Sequence, residues 1–149
     1  VGMKGEVPEG EHLLEIGTAD VKRRGDDVTL VAIGAMVKEA LSAAQTLEGE
    51  GVSAEVIDPR TLLPMDVDAI LHSVARTGRL VVVDEARELC SVASEIAATV
   101  AERGFEHLKA PVRRVAAPNV PIPFSPPLED FVLPNAAKIA DVVRQVMAY

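Results

Sequence analysis

From Val28 to Ile33 every residue but Thr29 is apolar. A run without alternation suits a strand covered on both faces, the condition of a parallel sheet. The period then changes. Val37, Ala40, Leu41, Ala44 and Leu47 recur at helical spacing, and Gly49 and Gly51 end the pattern, which predicts a helix over Val37–Glu48. The two element types keep alternating. Val52–Ile57 reads as a strand, Asp66–Arg76 as a helix stopped by Gly78, and Leu80–Val83 as a third apolar strand. Ser91 is placed to cap a helix whose stripe is Val92, Ile96 and Val100, with Ala93, Ala97 and Ala101 beside it and Gly104 after it. Val112–Ala116 supplies a fourth core strand. A proline-rich surface path runs from Pro118 to Pro127, and Asn135 opens a last helix with Ile139, Val142, Val143 and Val146 inward.

Residues 1–18 carry glycines and charges with no sustained period, which reads as a linker or surface arm. Gly17–Arg23 has the make-up of a short edge strand, and Arg24-Gly25-Asp26-Asp27 is a turn cluster. Strands alternating with helices of about 10–15 residues imply right-handed crossovers and a mostly parallel sheet between helical layers. The fold class is therefore α/β, a three-layer α/β/α domain over 19–149 behind an arm at 1–18.

One run joins a strand end, a charged turn and a helix start: Val56-Ile57-Asp58-Pro59-Arg60-Thr61-Leu62-Leu63-Pro64-Met65-Asp66. Pro59 fixes its own φ and pushes Asp58 out of the helical region. Asp66 stands as an N-cap before Val67, Ile70, Leu71 and Val74. This run resembles the Ile-Asp-Leu-Arg-Thr-Leu-x-Pro-Leu-Asp signature of thiamine-diphosphate-dependent 2-oxo acid and acetoin dehydrogenase beta chains. Pro59 replaces the usual leucine, while Asp58, Arg60, Thr61, Pro64 and Asp66 keep the polar framework. Gly2–Pro8, Asp26–Val37, Leu80–Glu85, Ala110–Val115, Pro121–Phe124, Leu128–Asp130 and Leu133-Pro134 are similar to the remaining segments of that family's carboxyl-terminal domain. The resemblance implies a transketolase C-terminal-like fold, a five-stranded sheet whose edge strand at the amino-terminal end runs antiparallel. It also implies that Val1 lies inside an interdomain linker, so the chain reads as an excised portion of a longer protein.

Composition narrows the function classes. At 149 residues the chain is one domain in size, 48% hydrophobic, 26% charged and only 3% aromatic, so its core must be aliphatic. A net charge of −8 argues against nucleic acid, whose phosphates need Lys and Arg. No apolar run approaches the ~20 residues that span a bilayer. One cysteine gives no internal disulfide and nothing points to secretion, which leaves a bacterial cytoplasmic setting as the expectation.

Asp58, Arg60, Asp84 and Glu85 are expected together at the carboxyl ends of neighbouring strands, where open α/β sheets place working residues. Two readings stay open for them: a carboxylate pair in acid/base chemistry, or an Arg–carboxylate brace across the turn or between domains. Gly34, between a strand and a helix, is read as a site of close helix–sheet packing, since no G-x-G-x-x-G or G-x-x-x-x-G-K-[ST] surrounds it. Cys90 precedes a helix start without a histidine nearby and is read as a small packing residue, and Cys90-Ser91 resembles the acetoin-type version of this position. His12, His72 and His107 have no metal-ligand spacing, and His72 is expected partly buried.

Pro118–Pro134 is stiffened by prolines and carries Ile122, Phe124, Leu128, Phe131 and Val132, so it is an interface candidate as well as a coil packed on its own domain. The resemblance adds Tyr149, which stands at the end where some family members dock the acyltransferase component. It implies that thiamine diphosphate and magnesium belong to the complete enzyme and are held outside this chain, with the lipoyl group carried by the partner. The partners implied are an alpha chain, a second beta chain of a heterotetramer and a lipoyl-acyltransferase component. On this reading the chain is an assembly domain without catalytic or cofactor-binding residues of its own. A stand-alone α/β binding module, such as a receiver, is the second reading, but Ile33-Gly34-Ala35 after the first strong strand lacks the clustered acids a receiver needs. The equivalent domain of transketolase or deoxyxylulose-phosphate synthase is a third, disfavoured by a differently composed turn.

Overall fold

The computed structural model describes residue 6 and residues 9–149, so all of the family-like segment Gly2–Pro8 except Glu6, and with it part of the arm at 1–18, lies outside the described residues. Five strands, β1 (Asp20–Arg23), β2 (Val28–Ala32), β3 (Ala54–Asp58), β4 (Leu80–Arg87) and β5 (Arg113–Ala117), form one sheet in the order β1-β3-β2-β4-β5. β1 pairs antiparallel with β3, and the other pairings are parallel. The helices are α1 (Met36–Glu48), α2 (Val67–Thr77), α3 (Val92–Arg103), α4 (Pro126–Val132) and α5 (Ala136–Met147), with a short 3-10 turn at Phe105–His107.

Because successive strand residues face opposite ways, β2 feeds two separate cores. Leu30 and Ala32 join Val56, Val81 and Val83 beneath α1 and α5. Val31 joins Ile57, Leu80 and Val82 beneath α2 and α3. The aliphatic core expected from the composition is thus split by the sheet. Each fully buried Leu, Ile or Val contributes about 1.5–3 kcal/mol. In α1 the buried positions are mostly alanine (Ala40, Ala43, Ala44), which lets the helix lie close against α5 and the sheet.

The local signals for helix ends are realised. Asp66 Oδ1 accepts from the Ala69 amide at 3.1 Å, and Asn135 Oδ1 accepts from Lys138 at 3.0 Å. Gly78 closes α2 in the left-handed conformation (φ 74°), which glycine adopts without a side-chain penalty. Ser91 occupies the N-cap of α3 but makes no capping hydrogen bond.

Three expectations change. The proline-rich stretch is not coil throughout, because Pro126–Val132 forms α4 with prolines in its first turn, where a missing N–H costs nothing. β4 runs four residues beyond Val83, to Arg87. His72 is exposed rather than partly buried, because the buried stripe of α2 runs through Ile70, Ser73, Val74 and Thr77.

The amino end of the sheet holds a buried polar network. Glu55 on β3 is 1% exposed and accepts from the Ser73 hydroxyl. Thr29 Oγ1 bonds Ser73 at 2.6 Å and Thr77 at 2.8 Å. Arg76 reaches Glu55 at 2.7 Å and also donates to the Gly25 carbonyl at 3.0 Å, while Arg24 stands 3.5 Å from Glu55. Glu55 holds the Arg76 guanidinium above its ordinary value, against the opposing effect of burial and with help from Asp26. Among the described residues, no helix is long and apolar enough to cross a membrane.

Candidate functional site

The carboxyl edge of the sheet carries the signature turn. β3 ends at Asp58, and Asp58 Oδ1 accepts from the Arg60 amide at 2.9 Å, a local turn held by the aspartate side chain. Arg60 itself takes φ 56°, and its guanidinium meets Asp20 on β1 at 2.7 Å. A brace therefore exists, but Arg60 reaches across to the edge strand and leaves Asp58 on a backbone amide. Asp20 lies opposite Asp58 in the strand register, a like-charge pairing that Lys22 and Arg60 offset.

Asp84 and Glu85 do not join this group. β2 lies between β3 and β4, so Asp58 and Asp84 belong to strands that are not neighbours, contrary to the expectation. Asp84 is buried, and one oxygen accepts from the Ala86 amide at 3.0 Å. Glu85 is exposed. No carboxylate pair suited to acid/base work forms from these residues.

Lys22, by its hydrogen bond and charge, and then Arg60 hold the Asp20 carboxyl below its ordinary value of 3.8, against the opposing effect of burial. A depressed carboxyl stabilises the folded state fully above its unfolded value and loses that contribution as pH falls through the lower folded value. The stability gap between the native chain and Asp20→Asn should stay constant above about pH 5 and shrink below about pH 4. Denaturant unfolding across that range measures it, and a gap that widens in acid refutes the assignment.

The rest of the turn faces the entering chain. Thr61 Oγ1 accepts from the Gly17 amide at 3.1 Å and donates to the Pro64 carbonyl at 2.7 Å. Asp66, whose first oxygen caps α2, uses its second to accept from the Ala19 amide at 3.0 Å. Asp20, Gly17 and Ala19 were not singled out from the sequence. Their partners are 40 to 47 residues away, and spacing carries no signal over that range.

Gly34 does not pack closely, since a Cβ there would meet nothing within 4 Å. Its φ of 58° supplies the reason for glycine. Beyond it, α1 opens on a groove of about 730 Å³ lined by Lys22, Lys38, Glu39 and Asp58 among others. Cys90 is exposed with φ 56°, so it is not a core packing residue.

Phe124 and Phe131 are 102% and 78% exposed, and Leu128 is 55% exposed. Lys138 fixes α4 from behind by donating to the carbonyls of Phe131 (2.5 Å) and Leu133 (2.7 Å). Tyr149 is exposed beside a groove formed by Phe105, Leu108, Pro111 and Val112.

A diphosphate needs converging cations or free N–H groups. The edge offers Lys38 beside Glu39 and Asp58, with Asp84 and Glu85 on β4, while Lys22 and Arg60 are both engaged by Asp20 and the first amides of α1 are bonded to Ile33, Gly34 and Ala35. Among the described residues no three His, Cys, Asp or Glu side chains could hold a metal ion. These residues do not fit thiamine diphosphate and its magnesium, and no chemical step is assigned to them.

Residues 17–139 match the family model described as the transketolase C-terminal domain. The chain belongs to that family. Its sheet, with one antiparallel edge, is the architecture shared with the split gene transketolase solved as an inactive beta4 tetramer. That structure aligns with a TM-score of 0.81 and 30% identity over 97% of this chain and 46% of its own. The acetoin:2,6-dichlorophenolindophenol oxidoreductase subunit beta of Bacillus subtilis (strain 168) is 51% identical over 97% of this chain and 42% of its own length. The pyruvate dehydrogenase E1 component subunit beta of the same organism is 46% identical over 97% and 44% respectively. This transketolase C-terminal domain therefore spans less than half the length of the curated relatives it matches.

Proposed function

We propose that this chain is the carboxyl-terminal domain of the beta subunit of a thiamine-diphosphate-dependent dehydrogenase acting on acetoin or a 2-oxo acid in the bacterial cytoplasm. The observation that carries this reading is the near-complete alignment with dehydrogenase beta subunits, 51% identical to the acetoin type and 46% to the pyruvate type. The split gene transketolase stands at 30% identity, which favours a dehydrogenase over a transketolase.

In the complete enzyme thiamine diphosphate would supply the electron sink for C–C bond cleavage, and a lipoyl group on an acyltransferase partner would be the acyl acceptor. Coenzyme and magnesium would be held by the alpha chain and the preceding beta domain. This domain's contribution is assembly. Leu128 and Phe131 present apolar area on α4, which Lys138 holds in place, and Phe124 adds more just ahead of that helix; burying each phenylalanine against the alpha chain or a second beta chain removes roughly 150–250 Å² from water. Asp58 and Arg60 would brace the turn after β3, while Asp84 and Glu85, apart from that turn on β4, would act at the interdomain edge. Tyr149 and its groove are assigned to the acyltransferase partner.

The test is made in the complete beta chain with its alpha partner. The native pair should reduce 2,6-dichlorophenolindophenol with acetoin or a 2-oxo acid. Phe124→Asp with Phe131→Asp should leave a folded beta chain that elutes alone, with activity reduced at least tenfold. No turnover of either substrate class by the native pair, or an intact active complex with the double variant, refutes the reading.

A further inference from the structure

We propose that the Asp58–Asp66 turn is a clamp that fixes the direction in which the preceding polypeptide enters the domain. Arg60, Thr61 and Asp66 would then be positioning residues between this domain and the part of the longer chain before it. The inference rests on the beta-subunit reading, which supplies that preceding part.

The polar side chains of the turn converge on three residues of the incoming chain, Gly17, Ala19 and Asp20. Thr61 receives the Gly17 amide at 3.1 Å, Asp66 receives the Ala19 amide at 3.0 Å, and Arg60 grips Asp20 at 2.7 Å. Thr61 is locked in turn on the Pro64 carbonyl, and Asp66 on the first turn of α2, so each anchor is itself held. Pro64 closes the clamp sterically. A Cβ on Gly17 would stand 2.9 Å from Pro64 Cγ, and Gly17 has φ 86°, so only glycine fits there without a shift.

Strand pairing alone would not need these bonds. β1 begins at Asp20, and its register with β3 runs from Asp20 to Arg23. The bonds to Gly17 and Ala19 lie before it and extend order into the arm. Just ahead of the clamp, Leu13, Leu14 and Ile16 are 81%, 58% and 74% exposed. The clamp thus aims an apolar segment outward along a set line, an arrangement suited to holding a neighbouring domain at one angle.

Hydrogen exchange and spin-label distances in the complete beta chain, assembled with its alpha partner, test this. Labels go on Glu102→Cys of α3 and on a cysteine in the preceding domain, in a Cys90→Ser background. Thr61→Val removes both hydroxyl bonds at nearly constant shape, and Thr61→Ser restores them. Exchange of the peptide containing Gly17 and Ala19 should rise roughly threefold to tenfold in Thr61→Val, the size of one lost hydrogen bond, and return in Thr61→Ser. The interdomain distance distribution should broaden in Thr61→Val and in Gly17→Ala and stay narrow in Thr61→Ser. Unchanged exchange in Thr61→Val refutes the clamp. Faster exchange with an unaltered distance distribution refutes its positioning role. Absence of dehydrogenase turnover would count against the functional reading and leaves both of these readouts standing.

Discussion

Arg76→Ala lowers the stability of this domain by about 3 kcal/mol, at the low end of what breaking a buried ion pair costs. The loss comes mainly from what stays behind. Glu55, at 1% exposure, keeps only the Ser73 hydroxyl and an arginine 3.5 Å away. Arg76 is itself partly in water, with 42% of its side chain exposed, which is why the upper end of the range is not expected. The Gly25 carbonyl loses a donor in the same change. Two controls separate this account from a general loss of helix packing. Arg24→Ala, at a side chain 77% exposed, should not move the unfolding midpoint measurably. Glu55→Leu combined with Arg76→Met should recover most of the lost stability, since apolar replacement of a whole buried pair is often neutral. Urea unfolding of the three variants decides it. A change below about 1 kcal/mol for Arg76→Ala would mean that the carboxylate is satisfied without its arginine.

The reach of sequence reasoning follows the range of each interaction. Asp66 and Asn135 were legible because a cap bonds an amide three residues away, and the apolar runs were legible because burial on both faces leaves no alternation. The turn at 58–66 was legible as a turn. Its use was not, because Arg60, Thr61 and Asp66 find Asp20, Gly17 and Ala19 across 40 residues or more. Glu55 sits inside an otherwise apolar strand, and nothing in spacing points from it to Arg76. The expectation that Asp58 and Asp84 share one place failed on strand order, since the chain passes from β3 over β2 to β4. α4 was hidden by its prolines, which also mark a first helical turn when Ser125 precedes them.

The two glycines that flank β2, Gly25 in the turn cluster before it and Gly34 between it and α1, should respond differently to alanine. Gly25→Ala is expected to cost about 3 kcal/mol, at the upper end of overpacking penalties. Its Cβ would fall 2.2 Å from the Ala54 carbonyl carbon and 2.4 Å from the Glu55 nitrogen, and backbone cannot swing aside as a side-chain tip can. Relief would require β3 to move, which would carry Glu55 away from Arg76 and Ser73. Gly34→Ala meets no atom within 4 Å but must hold φ 58°, and that conformational penalty is about 1–2 kcal/mol. Gly34→Asn should recover part of it, because asparagine tolerates the left-handed region, whereas no residue larger than glycine relieves position 25. Denaturant midpoints for the three variants give the order directly. If Gly25→Ala proves as mild as Gly34→Ala, the close approach of the turn to β3 is not what requires glycine there.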